Sequence, residues 1–183
     1  MEGLLDDLSF ADVQKMHDED DIEVGSSSDW HLEECFYEKA KGKNVLMFAL
    51  VRFGKYERYD IRTWFDNASK PGKGLSMTEV EIIELKTALL ESQIDVEGAV
   101  ERARYQGGKV SAIIYDRICL LSEYNVKNVG WNKEITIVDW GYGKKIDFRK
   151  WSNDYSACGK GISVPLQDAM EIFTFVKEMQ LKK

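Results

Sequence analysis

Two stretches of this chain have similar sequences at a constant offset of 87 residues. Residues 59–78 read YDIRTWFDNASKPGKGLSMT, and residues 146–165 read IDFRKWSNDYSACGKGISVP, so the two align without a gap. An internal repeat of this kind identifies the unit from which a chain is built. The repeat therefore predicts two related structural units in tandem.

The residues retained between the two copies are polar, aromatic or glycine rather than aliphatic. They include Asp60 and Asp147, Arg62 and Arg149, Trp64 and Trp151, Gly72 and Gly159, Lys73 and Lys160, Gly74 and Gly161, and Ser76 and Ser163. A set retained for core packing would consist of residues such as Leu and Val. The retained set therefore predicts a surface chemistry that is present twice.

The length of the chain fits two small units. Of its 183 residues, residues 1–29 form an acidic stretch, and the two units would span residues 30–106 and 109–183, or roughly 75 residues each. Units of that size bury little surface alone and are only marginally stable. We therefore expect the two units to pack on each other.

Apolar alternation and turn residues predict the same elements in both units. The expected strands lie at residues 30–37, 44–53, 56–65 and 75–77, and again at 110–122, 133–140, 144–151 and 162–164. Thr78 and Glu81 form a capping-box pattern, Pro165 suits the start of the second helix, and the first helix is expected to run on through residues 94–105. The predicted fold class is α+β: two tandem ββββα units, each a curved antiparallel sheet with one C-terminal helix, packed as an intramolecular pseudo-dimer.

Charge is divided unevenly along the chain. The whole sequence has a net charge of −7, but residues 1–38 contribute −12 and residues 39–183 contribute +5. The repeat region is therefore basic, and the acidity belongs to an N-terminal tail whose composition predicts disorder. With this distribution, the acidic total does not argue against a nucleic-acid partner.

Other classes of function find little support in the sequence. The three cysteines lack a CxxC pair and the two histidines have no partner at ligand spacing, so neither a metal site nor a disulfide framework is indicated. The Gly-Lys-Gly runs lack the full nucleotide-binding pattern GxxxxGK[ST]. We expect no enzymatic activity and no cofactor. Apolar runs fall short of the roughly 18 residues that a membrane span needs, so we expect no membrane partner.

Strand periodicity places the Arg and Trp of each copy on one face. Alternate residues of a strand share a face, so Arg62 and Trp64 lie together, opposite Ile61, and the second copy repeats this pattern. Because the apolar side must meet the helix, we expect the Arg and Trp on the open side. There, Trp can stack on any base, while Arg and Lys contact the phosphates of single-stranded nucleic acid. The predicted contact residues are Arg62, Trp64, Lys73, Arg149, Trp151, Lys160, Lys43, Arg52, Lys55, Lys133, Lys144 and Lys145.

Each of these signals also has a structural interpretation. A Trp on a half-buried sheet more often packs than binds. Asp60 and Asp147 fit a salt bridge that orients the arginine on the same face. Gly-Lys-Gly fits either a tight turn, in which glycine supplies a positive φ, or a loop that contacts phosphate. The sequence leaves these alternatives open, although the duplication of the whole set favours binding.

At these residues the chain resembles a known family. Asp-Ile-Arg-x-Trp, a polar loop, Gly-Lys-Gly-(Leu/Ile)-Ser and a following helix are similar to the C-terminal domain of the transcriptional coactivator positive cofactor four and to its short bacterial relatives. The likeness covers residues 59–105 and 111–175. It implies ββββα units that pair through their helices and bind single-stranded DNA across curved sheets, with contacts at Arg62, Trp64, Lys73, Arg149, Trp151 and Lys160. The relatives carry one copy per chain, so two copies imply a pseudo-dimer within one polypeptide.

The leading functional prediction is a single-stranded DNA-binding protein with little sequence preference, acting in transcription, replication or recombination, with RNA left open as a ligand. The alternative is a transcription regulator that acts mainly by protein contact with RNA polymerase or an activator. The acidic tail is a solubilising segment, a competitor of DNA for the basic sheet, or a hook for a transcription or replication protein. The protein would be cytoplasmic and nucleoid-associated in a bacterium or phage, and nuclear in a eukaryote; higher oligomers are left open.

Overall fold

The computed structural model describes residues 30–181, so the predicted acidic tail lies outside the described residues, as do residues 182 and 183. The first sheet is antiparallel in the order β1-β2-β3-β4, and the helix α1 follows it. Its elements are β1 (Trp30–Lys41), β2 (Asn44–Phe53), β3 (Tyr56–Phe65), β4 (Lys70–Met77) and α1 (Glu79–Glu91). Thr78 and Glu81 cap α1 with the predicted capping box.

The second sheet is also antiparallel, in the order β5-β6-β7-β8-β9, and the helix α2 follows it. Its elements are β5 (Ala103–Gly107), β6 (Val110–Val126), β7 (Val129–Asp139), β8 (Lys144–Ser152), β9 (Cys158–Val164) and α2 (Leu166–Glu178). Two antiparallel sheets, each followed by a helix, confirm the predicted α+β class. Neither described helix is long and apolar enough to cross a membrane.

The predicted continuation of the first helix through residues 94–105 is wrong. Helix α1 ends at Glu91, Ser92 is extended, and residues 103–107 instead form β5, which pairs with the start of β6. Ile94 and Val96, which lie in the predicted continuation, pack on the core from backbone that is not helical. Lys144 donates to the carbonyls of Val96 and Glu97 and helps to hold this segment. β5 therefore belongs to the second sheet, although most of its residues lie within the range 30–106 that was expected to form the first unit.

Both helices pack against the same side of the sheets, which we call the inner face; the opposite side is the outer face. Phe48 of the first sheet and Ile135 of the second belong to one buried cluster, which also holds Ile82 of α1 and Phe173 of α2. The two units therefore share a core, and β4 and β9 lie side by side. The outer faces carry two separate, smaller apolar clusters in which none of the described helix residues takes part.

Each helix uses the third residue of its first turn to reach the other sheet. In α1 this residue is Glu81, whose carboxylate accepts hydrogen bonds from Lys133 Nζ at 2.8 Å and from Ser122 Oγ at 2.7 Å. In α2 it is Asp168, which lies at the repeat offset from Glu81 and accepts a hydrogen bond from Tyr37 on β1 at 3.1 Å. Ion pairs from Asp168 to Lys39 and Lys41 complete the second contact. The contact between the units is thus made twice, once in each direction.

Opposing influences act on the pKa of the buried Glu81 carboxyl. Burial is the largest and acts to raise the pKa, but the charge of Lys133 and the hydrogen bonds from Lys133, Ser122 and the Thr78 backbone outweigh it, so the pKa is lowered overall. The pKa of Asp168 is also lowered, since the hydrogen bonds from Lys39 and Lys41 outweigh the effect of burial. Both carboxylates therefore favour the folded state when they are ionised.

Replacing Glu81 by Gln should lower the free energy of unfolding by about 3 kcal/mol at neutral pH, because Lys133 would keep a buried charge without its partner. A lowered folded-state pKa contributes stability above the unfolded value near 4.3, and that contribution is lost as the pH falls through the folded pKa. Denaturant melts from about pH 6 to pH 3 should therefore show a smaller loss of stability for the variant than for the wild type. The control is Glu79→Gln, at an exposed position on the same turn. Equal stability of the two variants would contradict the prediction.

Candidate nucleic-acid interface

The retained Asp, Arg and Ser of the first copy form one buried hydrogen-bond network on the outer face. Arg62 donates from Nε and Nη2 to the two carboxylate oxygens of Asp60, at 2.9 and 3.0 Å. Ser76 Oγ donates to Asp60 at 2.6 Å, and Arg62 Nη1 donates to the Gly72 carbonyl at 2.7 Å. The network ties β3 to β4 across the sheet.

The second copy repeats this network bond for bond. Arg149 donates from Nε and Nη2 to Asp147 at 2.7 and 3.2 Å, and from Nη1 to the Gly159 carbonyl at 3.1 Å. Ser163 Oγ donates to Asp147 at 2.7 Å. The salt bridge that the sequence allowed as an alternative is therefore present in both units.

The expectation that the retained polar residues lie on an open surface is wrong for part of the set. Asp60 and Arg62 are buried, Arg62 being only 7% exposed, and Asp147 is fully buried. A guanidinium tolerates such burial because its hydrogen bonds to a carboxylate and a carbonyl replace those to water. Arg149 is also mostly covered, with 15% of its side chain exposed. The retained set thus has a structural role that can account for much of its retention.

The two Gly-Lys-Gly runs lie within strands β4 and β9, not in turns. In each, the pairing with the preceding strand shifts by one residue, between Arg62 and Trp64 and again between Arg149 and Trp151. This extra residue is a β-bulge, and it occurs at the same place in both copies. Lys73 and Lys160 are exposed at these bulges.

The glycines of these runs allow two backbone segments to approach each other closely. The interpretation that glycine supplies a positive φ at these positions is wrong. None of the four has a positive φ. A Cβ on Gly74 would lie 2.4 Å from the Ile61 carbonyl oxygen, and one on Gly161 would lie 2.4 Å from the Phe148 carbonyl oxygen. The bulge brings each glycine against the neighbouring strand and leaves no room for a side chain.

On the first sheet, Trp64 is half-buried on the outer face and meets a second indole. Trp30, at the start of β1, packs edge-on against Trp64 with ring centroids 5.9 Å apart and an interplanar angle of 86°. Phe53 lies 5.9 Å from Trp30 on another side. The Arg62 guanidinium lies 5.1 Å from the centroid of the Trp30 ring, a cation–π distance. The first outer face therefore combines a fixed arginine with two tryptophans that are partly accessible.

On the second sheet, Trp151 occupies the matching position but is completely buried. The prediction that its side chain lies on the open side of the sheet is therefore wrong. Trp140 stacks on it at 5.9 Å with an interplanar angle of 16°. Tyr105 of β5 and Tyr155 each lie 5.6 Å from it and cover the rest of the ring. Burial and a hydrogen bond to Glu134 raise the pKa of Tyr155 to about 12, so its hydroxyl donates to Glu134 at neutral pH.

The remaining predicted basic residues differ in their access to solvent. Lys43, Lys55 and Arg52 are exposed, and Arg52 is ion-paired with Glu33. Lys144 and Lys145 are half-buried. The expectation that Lys133 contacts phosphate does not fit its position, because it is 4% exposed and paired with Glu81 at the contact between the units.

Four aromatic residues of the outer faces were not among the predicted contact residues: Trp30, Tyr105, Trp140 and Tyr155. One signal could have identified Trp140, because it lies at the repeat offset from Phe53 and both positions are aromatic. Trp30 and Tyr105 give no such signal. They come from β1 and β5, and they do not lie at the repeat offset from each other. Among the described residues, no group of three or more His, Cys, Asp or Glu is placed to hold a metal ion.

Comparison with known proteins gives little further information. No family model matches the chain, and no solved structure matches it. A stretch of 42 residues is 43% identical to part of an uncharacterized protein of Treponema pallidum (strain Nichols). The match covers 23% of this chain and 49% of that protein, so the chain spans about half the length of this relative.

Replacing Gly161 by Ala should lower the free energy of unfolding by about 2 kcal/mol or more, because the new methyl group would collide with backbone. The matched control is Gly159→Ala, where the nearest atom to a new Cβ is the Lys150 Cβ at 3.2 Å. Neither position has a positive φ, so the pair isolates the close approach from backbone strain. Denaturant melts of both variants measure the difference. A Gly161→Ala protein as stable as Gly159→Ala would contradict this account of the bulge.

Proposed function

We propose that this protein binds single-stranded DNA with little sequence preference, on the outer faces of its sheets, in transcription, replication or recombination. The observation that carries the proposal is the pairing of Trp64 and Trp30 with Arg62 on a face that the described helices leave uncovered. Aromatic side chains beside fixed cations suit single strands, because every base has a face that can stack on them.

In this proposal, each residue makes a different contribution to binding. Trp64 offers its accessible part to a base, a contact worth about 1–3 kcal/mol. Arg62 is held in place by Asp60 and Gly72, which accept hydrogen bonds from three of its nitrogens, and in this position it supports the Trp30 ring. Lys73 and Lys160, exposed on the neighbouring strands β4 and β9, contact phosphates. Affinity would therefore depend strongly on salt and weakly on sequence.

The proposal includes an intramolecular pseudo-dimer. An isologous interface is one in which the same patch of each partner contacts the same patch of the other. The reciprocal contacts of Glu81 and Asp168, at matched positions of the two helices, support such an arrangement within one chain. So does the single inner core that both units share.

A second candidate function is regulation through protein contact, with RNA polymerase or an activator as partner. Exposed apolar residues on the helices favour it, notably Val80 and Leu90 on α1, at 65% and 64% exposure, and Phe175 on α2. These residues lie on elements distinct from the outer faces. A variant with Val80 and Leu90 replaced by Ser should therefore keep DNA binding and lose any regulatory effect that depends on a partner.

The DNA-binding proposal is tested by titrating a labelled oligo-dT into the protein over a range of salt concentrations. The double variant Lys73→Gln/Lys160→Gln should bind more weakly at low salt. Its plot of log affinity against log salt should be shallower by about 1.4, because each phosphate contact on a single strand contributes about 0.7 to the slope. The control is Lys177→Gln, an exposed lysine on α2. Absence of binding at low salt, or an unchanged slope in the double variant, would refute the proposal.

A further inference from the structure

We propose that the two units are unequal: the first sheet holds an open pocket for one unstacked base, and the second sheet has filled the equivalent position with its own aromatic residues. This inference rests on the proposed function and specifies where a base enters. It follows from a cavity beside Trp64 on one outer face and from the complete burial of the matching Trp151 on the other.

The cavity of the first sheet has a volume of about 190 Å³ and opens beside Trp64. Trp30 and Trp64 form aromatic walls, and Met47 and Val51, which are buried on the outer face, also line it. Sites for drug-sized ligands are larger, at roughly 300–1,000 Å³. A cavity of this size with flat aromatic walls suits a single planar ring system.

Polar groups beside the cavity also suit a nucleobase. Ser69 lines the cavity and contributes a hydroxyl. The Trp30 indole N–H is buried and has no hydrogen-bond partner in the part of the chain that the structure describes. A buried donor without a partner costs free energy, which a hydrogen bond to a base carbonyl would recover. The indole N–H groups of Trp140 and Trp151 on the second sheet are also buried without a partner among the described residues, but no described cavity adjoins Trp151. The Arg62 guanidinium lies 5.1 Å from the centroid of the Trp30 ring and, because Asp60 fixes it, keeps this wall of the cavity in place.

The equivalent position on the second sheet is closed. Trp151 has no exposed surface, because Tyr105, Tyr155 and Trp140 surround its ring. Tyr155 is fixed there by its hydrogen bond to Glu134 at 2.7 Å. The cavity that Tyr105 lines, about 250 Å³ in volume, includes Arg104 and Asp139 but not Trp151.

The origin of the difference is β5, the strand by which the second sheet exceeds the four described strands of the first. It pairs Tyr105 with Ala112 at the start of β6, and this register sets the tyrosine against Trp151. In the first sheet, Trp30 of β1 makes the corresponding edge-on contact with Trp64 but leaves it partly accessible. The second unit therefore contributes phosphate contacts and no base pocket.

The experiment uses the full chain and an oligo-dT of roughly six nucleotides, near the lower end of known site sizes for single-strand binders. Ultraviolet crosslinking and peptide mapping should locate adducts at Trp30 or Trp64, with one oligonucleotide bound per chain. Trp64→Leu should weaken binding about tenfold, the loss of one base stack. Trp140→Leu is the matched variant on the second sheet and should leave affinity within about twofold, provided that its melting curve shows a folded protein.

The outcomes separate this inference from the proposed function. Failure of the wild type to bind any oligo-dT at low salt overturns both. Binding with two equivalents per chain, or with adducts confined to residues 140–155, overturns the unequal pocket alone and leaves the function standing. So does a Trp64→Leu protein that binds like the wild type.

A gain-of-binding variant tests the role of β5 directly. Tyr105→Ala removes the half-buried tyrosine that covers Trp151, and it should permit a second oligonucleotide to bind per chain, with new adducts at Trp140 or Trp151. A melting curve establishes that the variant is folded. A folded Tyr105→Ala protein that still binds one equivalent, with unchanged adducts, shows that β5 is not what closes the second site.

Discussion

The buried pair between Arg62 and Asp60, with its copy at Arg149 and Asp147, is the interaction on which the outer faces depend. It consists of two parallel hydrogen bonds, a serine that bonds the same carboxylate, and a carbonyl on the next strand. A buried ion pair of this kind adds little net stability compared with apolar packing, but breaking it costs about 3–5 kcal/mol. Its role here is to hold β3 and β4 in a fixed relative position at the bulge, where glycine is required.

The same arginine links the scaffold to the candidate site. Arg62 bonds Asp60 on one side and lies over the Trp30 ring on the other, so the aromatic wall of the cavity is positioned by a residue of the structural network. In the second copy Arg149 stands in the same relation to Trp140, at 4.9 Å. Structural and binding interpretations of the repeat are therefore compatible, because one guanidinium can serve both.

The free energies of aromatic contacts explain why a base can reach Trp64 on the first outer face but not Trp151 on the second. A contact between aromatic side chains is worth about 0.5–1.5 kcal/mol beyond the area it buries, and a base stacked on an aromatic ring about 1–3 kcal/mol. Among the described residues, Trp64 has one aromatic neighbour, Trp30, so a base competes there with one such contact. Trp151 has three, and displacing them would cost more than one stacked base returns. The two copies share the Asp, Arg, Trp and Gly-Lys-Gly residues, but the residues around the two tryptophans differ, and so does the access of a base to them.

Elements that local rules govern were predictable from the sequence. The strands at residues 44–53 and 56–65, the capping box at Thr78 and the shared face of Arg62 and Trp64 all follow from periodicity and from hydrogen bonding within a few residues. Contacts between distant parts of the chain settle three further features: what covers that face, why Gly74 must be glycine, and that residues 103–107 form a strand of the second sheet. Alternation of residues assigns a side chain to one side of a sheet, but whether that side meets water depends on strands distant in sequence. For this reason Trp64 and Trp151, identical in the repeat, end in different environments.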